Sequence, residues 1–423
     1  MKARKGVAQF CRCSWLFGFA PLLATIAIIL AMTGCGSDTE ETFISSNGDR
    51  LYAPDAVGPF AVGRSSFTIV DPDREGRELP VDVWYPVDPR DANGEPSLYQ
   101  VTFELWIIPD IWVIPLVFTA PSERALHEPL ISETGGFPLI VFSHGSGGLR
   151  YQSFFLTEVL ASHGFVVASA GHVGNTLLDE IGGTFAPMEE MMMARPLDVS
   201  LLITRMLEKN EDPEDFFYSS IDGERIGVCG HSFGGFTSFA MAAGFEGDLP
   251  DELASELPDD FVFVPVPPDP RVDAIAPLAP ASWFGDSELE AITVPTMIIG
   301  GTLDTTTPIE EQNVRPFELI PDQVFRADLD GAVHFSFSNS CDLIQGMRNQ
   351  GIQQWMIDDL LGTEFTEPCG PPSLDIEEAH RITNLYTVSL FKAFVEGDDR
   401  YEQYLTEDYA QANEPNITYY AKP

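Results

Sequence analysis

Short apolar runs alternate with helix-like segments along most of this 423-residue chain. Eight runs have the length and composition of strands, and stretches of helical periodicity lie between most of them. Strands joined by helices form parallel crossover units, with helices on both faces of the sheet. The pattern therefore predicts an α/β fold with a mostly parallel, eight-stranded sheet. The eight runs are SFTIVD, LPVDVWYPV, FPLIVFSH, GFVVASA, RIGVCG, RVDAIAPLAP, VPTMIIGG and QVFRADLD.

Three segments interrupt this alternation and are expected to be insertions in a single domain. Residues 100–135 are aromatic and broken by prolines, 245–269 are acidic, and 341–375 contain two cysteines. We expect the first segment to pack structurally, with a lid or the mouth of a substrate site as the alternative. The second has the composition of a solvated excursion. Residues 56–423 are interpreted as that single domain.

Residues 1–34 have the pattern of an export signal. A basic head precedes the apolar run WLFGFAPLLATIAIILAM, and the small residues of MTGC end at Cys35. This ending resembles a bacterial lipobox with Met32 in place of the usual Leu, which implies cleavage before Cys35 and attachment of lipid to it. A transmembrane anchor is the alternative, because about 18 apolar residues can span a bilayer. Residues 35–55 then form an acidic tether, and we expect an exported cell-envelope lipoprotein, at the outer membrane in a Gram-negative cell.

The charge balance restricts the partners that this chain can have. It carries 65 acidic and 23 basic residues, a formal net charge of −42. Such a surface repels nucleic acids and anionic membranes, which leaves the lipid anchor as the only expected membrane contact. The acidity suits a high-salt habitat, and an ordinary acidic secreted protein is an equal alternative.

The cysteines favour a disulfide, since an exported chain enters an oxidising compartment, and they do not indicate a metal site. Cys341 and Cys369 lie in a loop-rich region and are expected to pair as a disulfide, with free thiols as the alternative. Cys229 lies inside a predicted strand and is expected to be a small buried apolar residue. No CxxC motif or His/Cys cluster indicates a bound metal.

The stretch GHSFGG, residues 230–235, joins the strand-like RIGVCG to the helix-like FTSFAMAAG. A tight strand-to-helix turn lifts a serine hydroxyl out at the carboxyl edge of the sheet and at a helix N-terminus, where developing negative charge is stabilised. Gly230, Gly234 and Gly235 supply room where the backbone is crowded. These flanks make Ser232 a candidate nucleophile rather than an ordinary serine in a turn.

A serine hydroxyl is a poor nucleophile, so it requires a base within hydrogen-bond reach and a carboxylate that orients the base. Two histidines follow Ser232. His334 comes directly after the last predicted strand, whereas His380 lies in a helical pattern and is interpreted as a surface residue. His334 is therefore the candidate base.

The candidate acid is Asp304, which follows VPTMIIGG at the carboxyl end of the penultimate predicted strand. Its place between Ser232 and His334 gives the order nucleophile, acid, base along the chain. Asp328 and Asp330 are the alternatives, but they lie too close in sequence to His334 to reach back to it easily.

A tetrahedral intermediate also requires two backbone N–H donors. The first candidate is Phe233, directly after the nucleophile. The second is Ser146, in the glycine-rich loop of IVFSHGSGG, residues 140–148. His144 in this loop precedes the nucleophile and is interpreted as shaping the loop.

Five stretches together resemble a known family: VFSHGSGGLR, LASHGFVVASAGH, RIGVCGHSFGG, PTMIIGGTLDTTTP and GAVHFSFSNSCD. They are similar to α/β-hydrolases of the bacterial dienelactone-hydrolase-like and platelet-activating-factor-acetylhydrolase-like group, over about residues 60–400. The resemblance implies an α/β-hydrolase fold and a catalytic site without a cofactor. It implies these roles: Ser232 as nucleophile, Asp304 as acid, His334 as base, and the amides of Ser146 and Phe233 as oxyanion hole.

This chain differs from these families in its nucleophile and in the position of its acid, and the differences restrict the resemblance. Dienelactone hydrolases use a cysteine where this chain has Ser232. The acetylhydrolases place their acid after the strand that follows the nucleophile turn, where this chain reads LAPASW without an aspartate. Asp304 after the next strand, and a cysteine soon after His334, are similar to cutinase-like polyester hydrolases, which usually have Met where this chain has Phe233.

The resemblance implies a serine-dependent carboxylic ester hydrolase that forms an acyl-enzyme. The expected substrates are small-molecule or polymeric esters with short to medium acyl groups. Two alternatives stay open at this point. One is a catalytically silent scaffold that binds a partner at the cell surface, and the other is an amide or peptide hydrolase that uses the same three side chains.

Overall fold

The structure is a computed structural model that describes residues 42–44, 50–108, 112–247, 249 and 261–422. The predicted export segment, residues 1–34, and the predicted lipidation site, Cys35, lie outside these ranges, and the tether is described only in part. Within the described ranges, no helix combines the length and the apolar character needed to cross a bilayer.

The strands of the described residues form one large sheet and one small antiparallel pair, β1 with β2. Their bounds are β1 Thr42–Ile44, β2 Arg50–Tyr52, β3 Ala61–Asp71, β4 Arg77–Val87, β5 Pro96–Ile108, β6 Trp112–His127, β7 Phe137–Ser143, β8 Val166–Ala170, β9 Ile221–His231, β10 Ala274–Leu278, β11 Thr296–Gly301, β12 Val324–Leu329 and β13 Ile417–Lys422.

Helices connect the parallel strands, as the sequence pattern predicts. Their bounds are α1 Phe154–Ser162, α2 Leu177–Gly182, α3 Met188–Glu211, α4 Phe233–Ala243, α5 Asp286–Glu290, α6 Arg315–Leu319, α7 Ser340–Asn349, α8 Gln354–Leu361, α9 Ile376–Phe391 and α10 Glu407–Asn413.

The large sheet has eleven strands in the order β13-β12-β11-β10-β9-β7-β8-β4-β3-β6-β5. Its centre, from β12 to β8, is parallel, whereas β13, β4 and the β5–β6 hairpin bring antiparallel pairings. All eight predicted strands are present, so the α/β fold class is confirmed. Most of the strand pairings in the sheet are parallel, as expected, but the sheet is mixed and has more than the expected eight strands, because it extends beyond those strands at both ends.

The additional strands at one end come from the aromatic segment 100–135. Proline cannot donate to a strand ladder, so prolines within a strand require a place without a pairing partner. Strand β6 pairs with β5 along most of its length but with β3 only at Ala125–His127. Among the described residues, no strand pairs with the other side of β6 at Pro115 and Pro121. The hairpin therefore accommodates the prolines at the edge of the sheet.

Helices cover both faces of the sheet and produce two buried cores. Alternate residues of β7 point to opposite faces: Ile140 and Phe142 pack in one core, Leu139 and Val141 in the other. Helices α1 and α9 close the first core, and α3 and α4 close the second. A sheet buried on both faces explains why its central strands read as continuous apolar runs.

The cysteine-containing segment 341–375 forms α7, α8 and a short 3₁₀ helix, Glu364–Cys369. Cys341 and Cys369 form a disulfide with their Cα atoms 5.4 Å apart, so the predicted pairing is present. Cys229 is a buried free cysteine in β9, as expected. Helix α7 packs against β6, and the disulfide-closed segment therefore lies beside the hairpin.

Candidate active site

Ser232 lies in the tight turn between β9 and α4, at the carboxyl edge of the parallel strands. Its backbone has φ 57° and ψ −117°, a conformation that residues other than glycine rarely adopt. Backbone hydrogen bonds hold the turn. The Ser232 N–H donates to the carbonyl of Leu278 in β10 at 2.9 Å, and the Ser232 carbonyl accepts from the Gly235 N–H at 2.8 Å. These bonds offset the strain and hold the hydroxyl at the edge of the sheet.

The glycines of the turn are required by close backbone approaches. A Cβ on Gly234 would lie 1.9 Å from the carbonyl oxygen of Ser143, and one on Gly230 would lie 2.4 Å from the oxygen of Gly234. No larger residue fits without moving β7 away from the turn. The glycines at these positions in the sequence are therefore explained by the close packing of the turn against β7.

His334 connects Ser232 to Asp304. It follows β12 and begins a short 3₁₀ helix, His334–Phe337. Its Nε2 lies 2.9 Å from Ser232 Oγ, and its Nδ1 lies 2.8 Å from Asp304 Oδ2. His334 is 5% and Asp304 is 6% exposed, so water competes little for these bonds. The structure brings together the three side chains that the sequence singled out.

The Asp304 carboxylate is held by the loop that follows it. Oδ1 accepts from the backbone N–H groups of Thr306 and Thr307, each at 2.8 Å, and Oδ2 accepts from the Thr307 hydroxyl at 2.8 Å. Burial acts to raise the pKa of Asp304, but the hydrogen bond and charge of His334 and the bonds from Thr307 outweigh it. The net pKa lies below the ordinary value, so the carboxylate is ionised at neutral pH.

The alternative acids have other partners. Asp328 Oδ2 accepts from the Arg326 guanidinium at 2.9 Å, and Asp330 Oδ1 accepts from the Thr302 hydroxyl at 3.3 Å. Neither hydrogen-bonds His334 in the described structure.

His380 is not a surface residue, and that prediction is wrong. Its ring is half-buried and stacks on Phe155 at a centroid distance of 3.6 Å, and its Nε2 donates to the Ser338 carbonyl at 3.0 Å. Burial lowers the pKa of His380 to about 4. The helical pattern around it was correct, but His380 is on the face of α9 that packs against α1.

Of the two candidate oxyanion donors, Phe233 follows Ser232 in the chain, and Ser146 lines the same cavity as Ser232. Phe233 is the first residue of α4, so its N–H has no acceptor within the helix. Ser146 lies in residues 143–147, a stretch at the end of β7 that we call the oxyanion loop. The neighbouring amides in this loop are occupied: the Gly145 N–H donates to Gln152 Oε1 at 3.1 Å, and the Gly147 N–H donates to the Asn175 carbonyl at 3.2 Å.

Sequence reasoning missed the pair His231 and Gln152, which joins the His334 segment to the oxyanion loop. His231 Nε2 donates to the carbonyl of His334 at 2.9 Å, and its Nδ1 accepts from Gln152 Nε2 at 2.9 Å. Burial, aided by the neighbouring His334, lowers the pKa of His231 to about 3, so the ring is neutral and can accept this bond. Through Gln152 the His334 segment is tied to the oxyanion loop.

Ser232, His334 and Ser146 line one cavity, and most of its remaining wall is apolar. The β5–β6 hairpin contributes Tyr99 and Phe118, and Phe365 comes from the segment closed by the disulfide. The aromatic segment 100–135 therefore both pairs into the sheet and reaches the site. The aromatic lining residues are Tyr99, Phe118, Tyr151, Phe154, Phe335 and Phe365.

Rings from different elements contact one another in this wall. Tyr99 of β5 stacks on Phe154 of α1 at 4.2 Å between ring centroids. Phe335, next to His334, lies 4.1 Å from Phe365. The cavity is thus bounded by two aromatic pairs, one on the hairpin side and one on the side of the disulfide.

Several known proteins are similar to this chain in sequence. The sequence pattern of the family described as platelet-activating factor acetylhydrolase, isoform II, matches residues 46–177. Cutinase 1 of Thermobifida cellulosilytica is 26% identical over 275 residues, which cover 64% of this chain and 74% of that protein. A bis(hydroxyethyl) terephthalate hydrolase of Streptomyces coelicolor is 25% identical over 273 residues, 64% of this chain and 74% of that protein.

Cutinase est2 of Thermobifida alba is 31% identical over 252 residues, which cover 58% of this chain and 69% of that protein. The family resemblance expected from the sequence motifs is thereby confirmed. The chain belongs to the cutinase family of serine carboxylic ester hydrolases, within the α/β-hydrolase superfamily.

Proposed function

We propose that this protein hydrolyses esters through an acyl-enzyme on Ser232, with His334 as general base and Asp304 as the orienting carboxylate. The observation that carries the proposal is the unbroken hydrogen-bonded chain from Ser232 Oγ through both ring nitrogens of His334 to Asp304, with links of 2.9 and 2.8 Å. A positioned base and an ionised carboxylate are what a serine hydroxyl requires to become a nucleophile.

The proposal includes the following proton transfers. His334 Nε2 accepts the proton of Ser232 as Oγ attacks the ester carbonyl carbon, and the Asp304 carboxylate stabilises the imidazolium that forms. The N–H groups of Phe233 and Ser146 stabilise the negative oxygen of the tetrahedral intermediate. His334 then protonates the leaving alcohol. Water attacks the acyl-enzyme in the same way and releases the carboxylic acid.

The wall of the cavity supports substrates with an apolar group next to the ester. Aromatic side chains line it, and such walls bind aryl and alkyl groups through burial of apolar surface. Relatives named cutinases and a bis(hydroxyethyl) terephthalate hydrolase support a polyester-type substrate. We assign the protein to short to medium acyl esters and to polyester-type esters.

The same proposal includes the location of the enzyme. The apolar run that ends at Cys35 supports export and lipid attachment at that cysteine, which would hold the catalytic domain at the cell envelope. Mass spectrometry of the mature N-terminus tests this part. A diacylglyceryl group on Cys35 is expected, and an unprocessed N-terminus would contradict it.

The catalytic proposal is tested with the full chain in mild detergent, assayed on p-nitrophenyl acetate, butyrate and octanoate and on bis(hydroxyethyl) terephthalate. Ser232→Ala should lower kcat by a factor of about 10³ or more. Ser200→Ala is the control, since that hydroxyl bonds Asp269 at 2.7 Å and lies outside the site. Ester hydrolysis that survives in Ser232→Ala would refute the proposal. Wild-type protein that reacts with a fluorophosphonate yet cleaves only amides would move it to the amide alternative.

A further inference from the structure

A second hydrogen-bonded series of serine, histidine and aspartate begins at Ser143, the first residue of the oxyanion loop. The Ser143 hydroxyl donates to His172 Nε2 at 3.0 Å, and His172 Nδ1 donates to Asp198 Oδ2 at 3.0 Å. All three side chains are buried, and Ser143 is not among the residues that line the cavity. This series therefore supports the loop rather than reacting with substrate.

Arg195 of α3 joins this series to the loop. Its guanidinium donates to Ser143 Oγ at 3.1 Å, to the carbonyl of His144, and to Asn175 Oδ1 at 3.0 Å. Arg195 has no solvent exposure. Arg195 thus holds Ser143 and His144 at the start of the oxyanion loop. It also holds Asn175, which lies beside the other end of the loop.

Both candidate oxyanion donors are in contact with this arrangement. Asn175 donates from Nδ2 to the hydroxyl of Ser146 at 3.1 Å and accepts the Gly147 N–H on its own carbonyl at 3.2 Å. On the other side, the guanidinium of Arg195 lies 4.6 Å from the centroid of the Phe233 ring. Arg195 therefore touches Phe233 directly and reaches Ser146 through Asn175.

The charge of Arg195 is not cancelled by an ion pair. Asp198 pairs with Arg74 at 2.7 Å and with Arg77 at 2.8 Å, and Arg74 also pairs with Asp71. Among the ion pairs of the described residues none includes Arg195. The guanidinium groups of Arg74 and Arg77 therefore take up the carboxylate of Asp198, with Asp71 and Asp179 nearby, and Arg195 is left with neutral hydrogen-bond partners.

A buried charge acts more strongly than an exposed one, because little water surrounds it to screen its field. Burial lowers the pKa of Arg195 to about 9, and the nearby Asp198 acts to raise it, so the guanidinium stays charged at neutral pH. The rest of the molecule has the opposite sign, with a formal net charge of −42. Most of that charge is on exposed carboxylates, which water and salt screen.

We propose that Arg195 is a positioning residue for ester hydrolysis, which holds the oxyanion loop in place and stabilises with its buried positive charge the oxyanion that forms at Ser146 and Phe233. It acts through these two residues and does not touch the substrate. The inference rests on the proposed function, because it requires an oxyanion formed by attack of Ser232.

The first test compares Arg195→Met, which removes the charge, with Arg195→Lys, which keeps a charge but loses the planar fork. Arg195→Met should lower kcat by a factor of about 100 with KM within about threefold, since an interaction made only in the transition state is lost. Arg195→Lys should recover about tenfold of that loss. Affinity for a trifluoromethyl ketone, which forms a charged hemiketal on Ser232, should fall in proportion to kcat/KM.

Arg326→Met is the matched control. Arg326 is also a buried arginine, but it pairs with Asp328 on β12 and contacts no part of the site. This variant should melt at a lower temperature and keep its kcat. A folded Arg195→Met with kcat within threefold of wild type would overturn the inference, and so would a loss of kcat without a loss of ketone affinity.

If Arg195→Met does not fold, a double-mutant cycle of Arg195→Lys with Asn175→Ala replaces it. Both changes interrupt the same path to Ser146, so the double variant should lose no more kcat than the worse single variant, and losses that multiply would overturn the inference. Ser232→Ala separates the two proposals. Full activity in Ser232→Ala would refute the proposed function. If Ser232→Ala is inactive but Arg195→Met keeps the kcat of wild type, only the role of Arg195 is refuted.

Discussion

Asp304 shows at the scale of a single residue how the site is prepared. Its carboxylate is buried, which by itself would favour the neutral acid, yet three donors from the following loop and the ring of His334 keep it ionised. The Thr307 hydroxyl, which donates to this carboxylate at 2.8 Å, also lies 3.0 Å from the Ala279 carbonyl, directly after β10. The loop thus holds in place the carboxylate that orients His334.

Thr307→Val should lower kcat by about three- to tenfold, since one hydrogen bond to the carboxylate is lost while the backbone N–H is kept. The pKa of Asp304 should rise, because the lost bond stabilised its charged form. The acid side of the pH–rate profile is the measurement. Thr305→Val, at an exposed position next to Asp304, is the control and should match wild type. Identical profiles for the two variants would contradict the assignment.

Single residues could be predicted where the chemistry imposes an order along the chain. Ser232, Asp304 and His334 each follow a predicted strand, and parallel strands end at the same edge of a sheet. Gln152 and Arg195 could not be found in this way. Each contacts partners from distant parts of the chain, and such long-range contacts leave no periodic signal in the sequence.

At the scale of elements, the cavity depends on two segments that stand outside the alternation of strands and helices. The β5–β6 hairpin provides one wall, and the segment between Cys341 and Cys369 provides the other. Regular alternation made the eight core strands predictable. The hairpin was missed because its prolines interrupt the strand pattern. Strand β13 was missed because it is a six-residue edge strand with few buried residues and therefore has no apolar run.

Replacement of Cys341 and Cys369 by serine should lower the free energy of unfolding by about 3 kcal/mol, as expected for a disulfide that closes a loop of this size. The cysteines are 28 residues apart, and Leu343 and Phe365 between them line the cavity. Hydrolysis of the octanoate ester should therefore fall more than that of the acetate ester. Melting temperature and the ratio of the two rates are the measurements.

Addition of reductant to wild type should reproduce both effects, and addition to the double-serine variant should change nothing. A wild-type protein that melts at the same temperature with and without reductant would show that the disulfide adds no stability. An unchanged rate ratio would show that the loop does not shape the cavity.

At the scale of the whole molecule, folding buries most of the histidines in neutral form. Burial lowers the pKa of His163 and His231 to about 3 and of His172 and His380 to about 4, and it holds that of His144 well below the ordinary value. The unfolded chain binds protons at these sites below about pH 6.5, and the folded chain does not. Stability is therefore fully present above this pH and decreases as the pH falls toward 4.

Each such histidine contributes about 1.4 kcal/mol per pH unit within this window. His163→Gln should reduce the slope of the free energy of unfolding against pH by about 1.4 kcal/mol per pH unit, the contribution of one proton. The exposed carboxylates are the same in both proteins and therefore do not contribute to this difference. His163 lies away from the site and bonds the Ala56 carbonyl at 2.9 Å. Urea unfolding from pH 4.5 to 7.5 in 1 M NaCl measures the slopes, and equal slopes would contradict the prediction.

The net charge of −42 gives a second property of the whole molecule. Repulsion among exposed carboxylates destabilises the compact state, and salt screens it within a Debye length of about 3 Å at 1 M. The melting temperature should rise by several degrees between 0.05 and 1 M NaCl. Sucrose at the same osmolality is the control, and a larger rise in sucrose than in NaCl would show that screening is not the cause.

The position of β13 has a consequence for biosynthesis. This strand pairs antiparallel with the whole of β12, from Val324 with Lys422 to Leu329 with Ile417, and His334 follows directly after β12. A ribosome completes Ser232, Asp304 and His334 before it reaches residue 417. Until then β12 is an open edge, so all three of these residues are synthesised before the strand that completes the sheet beside them.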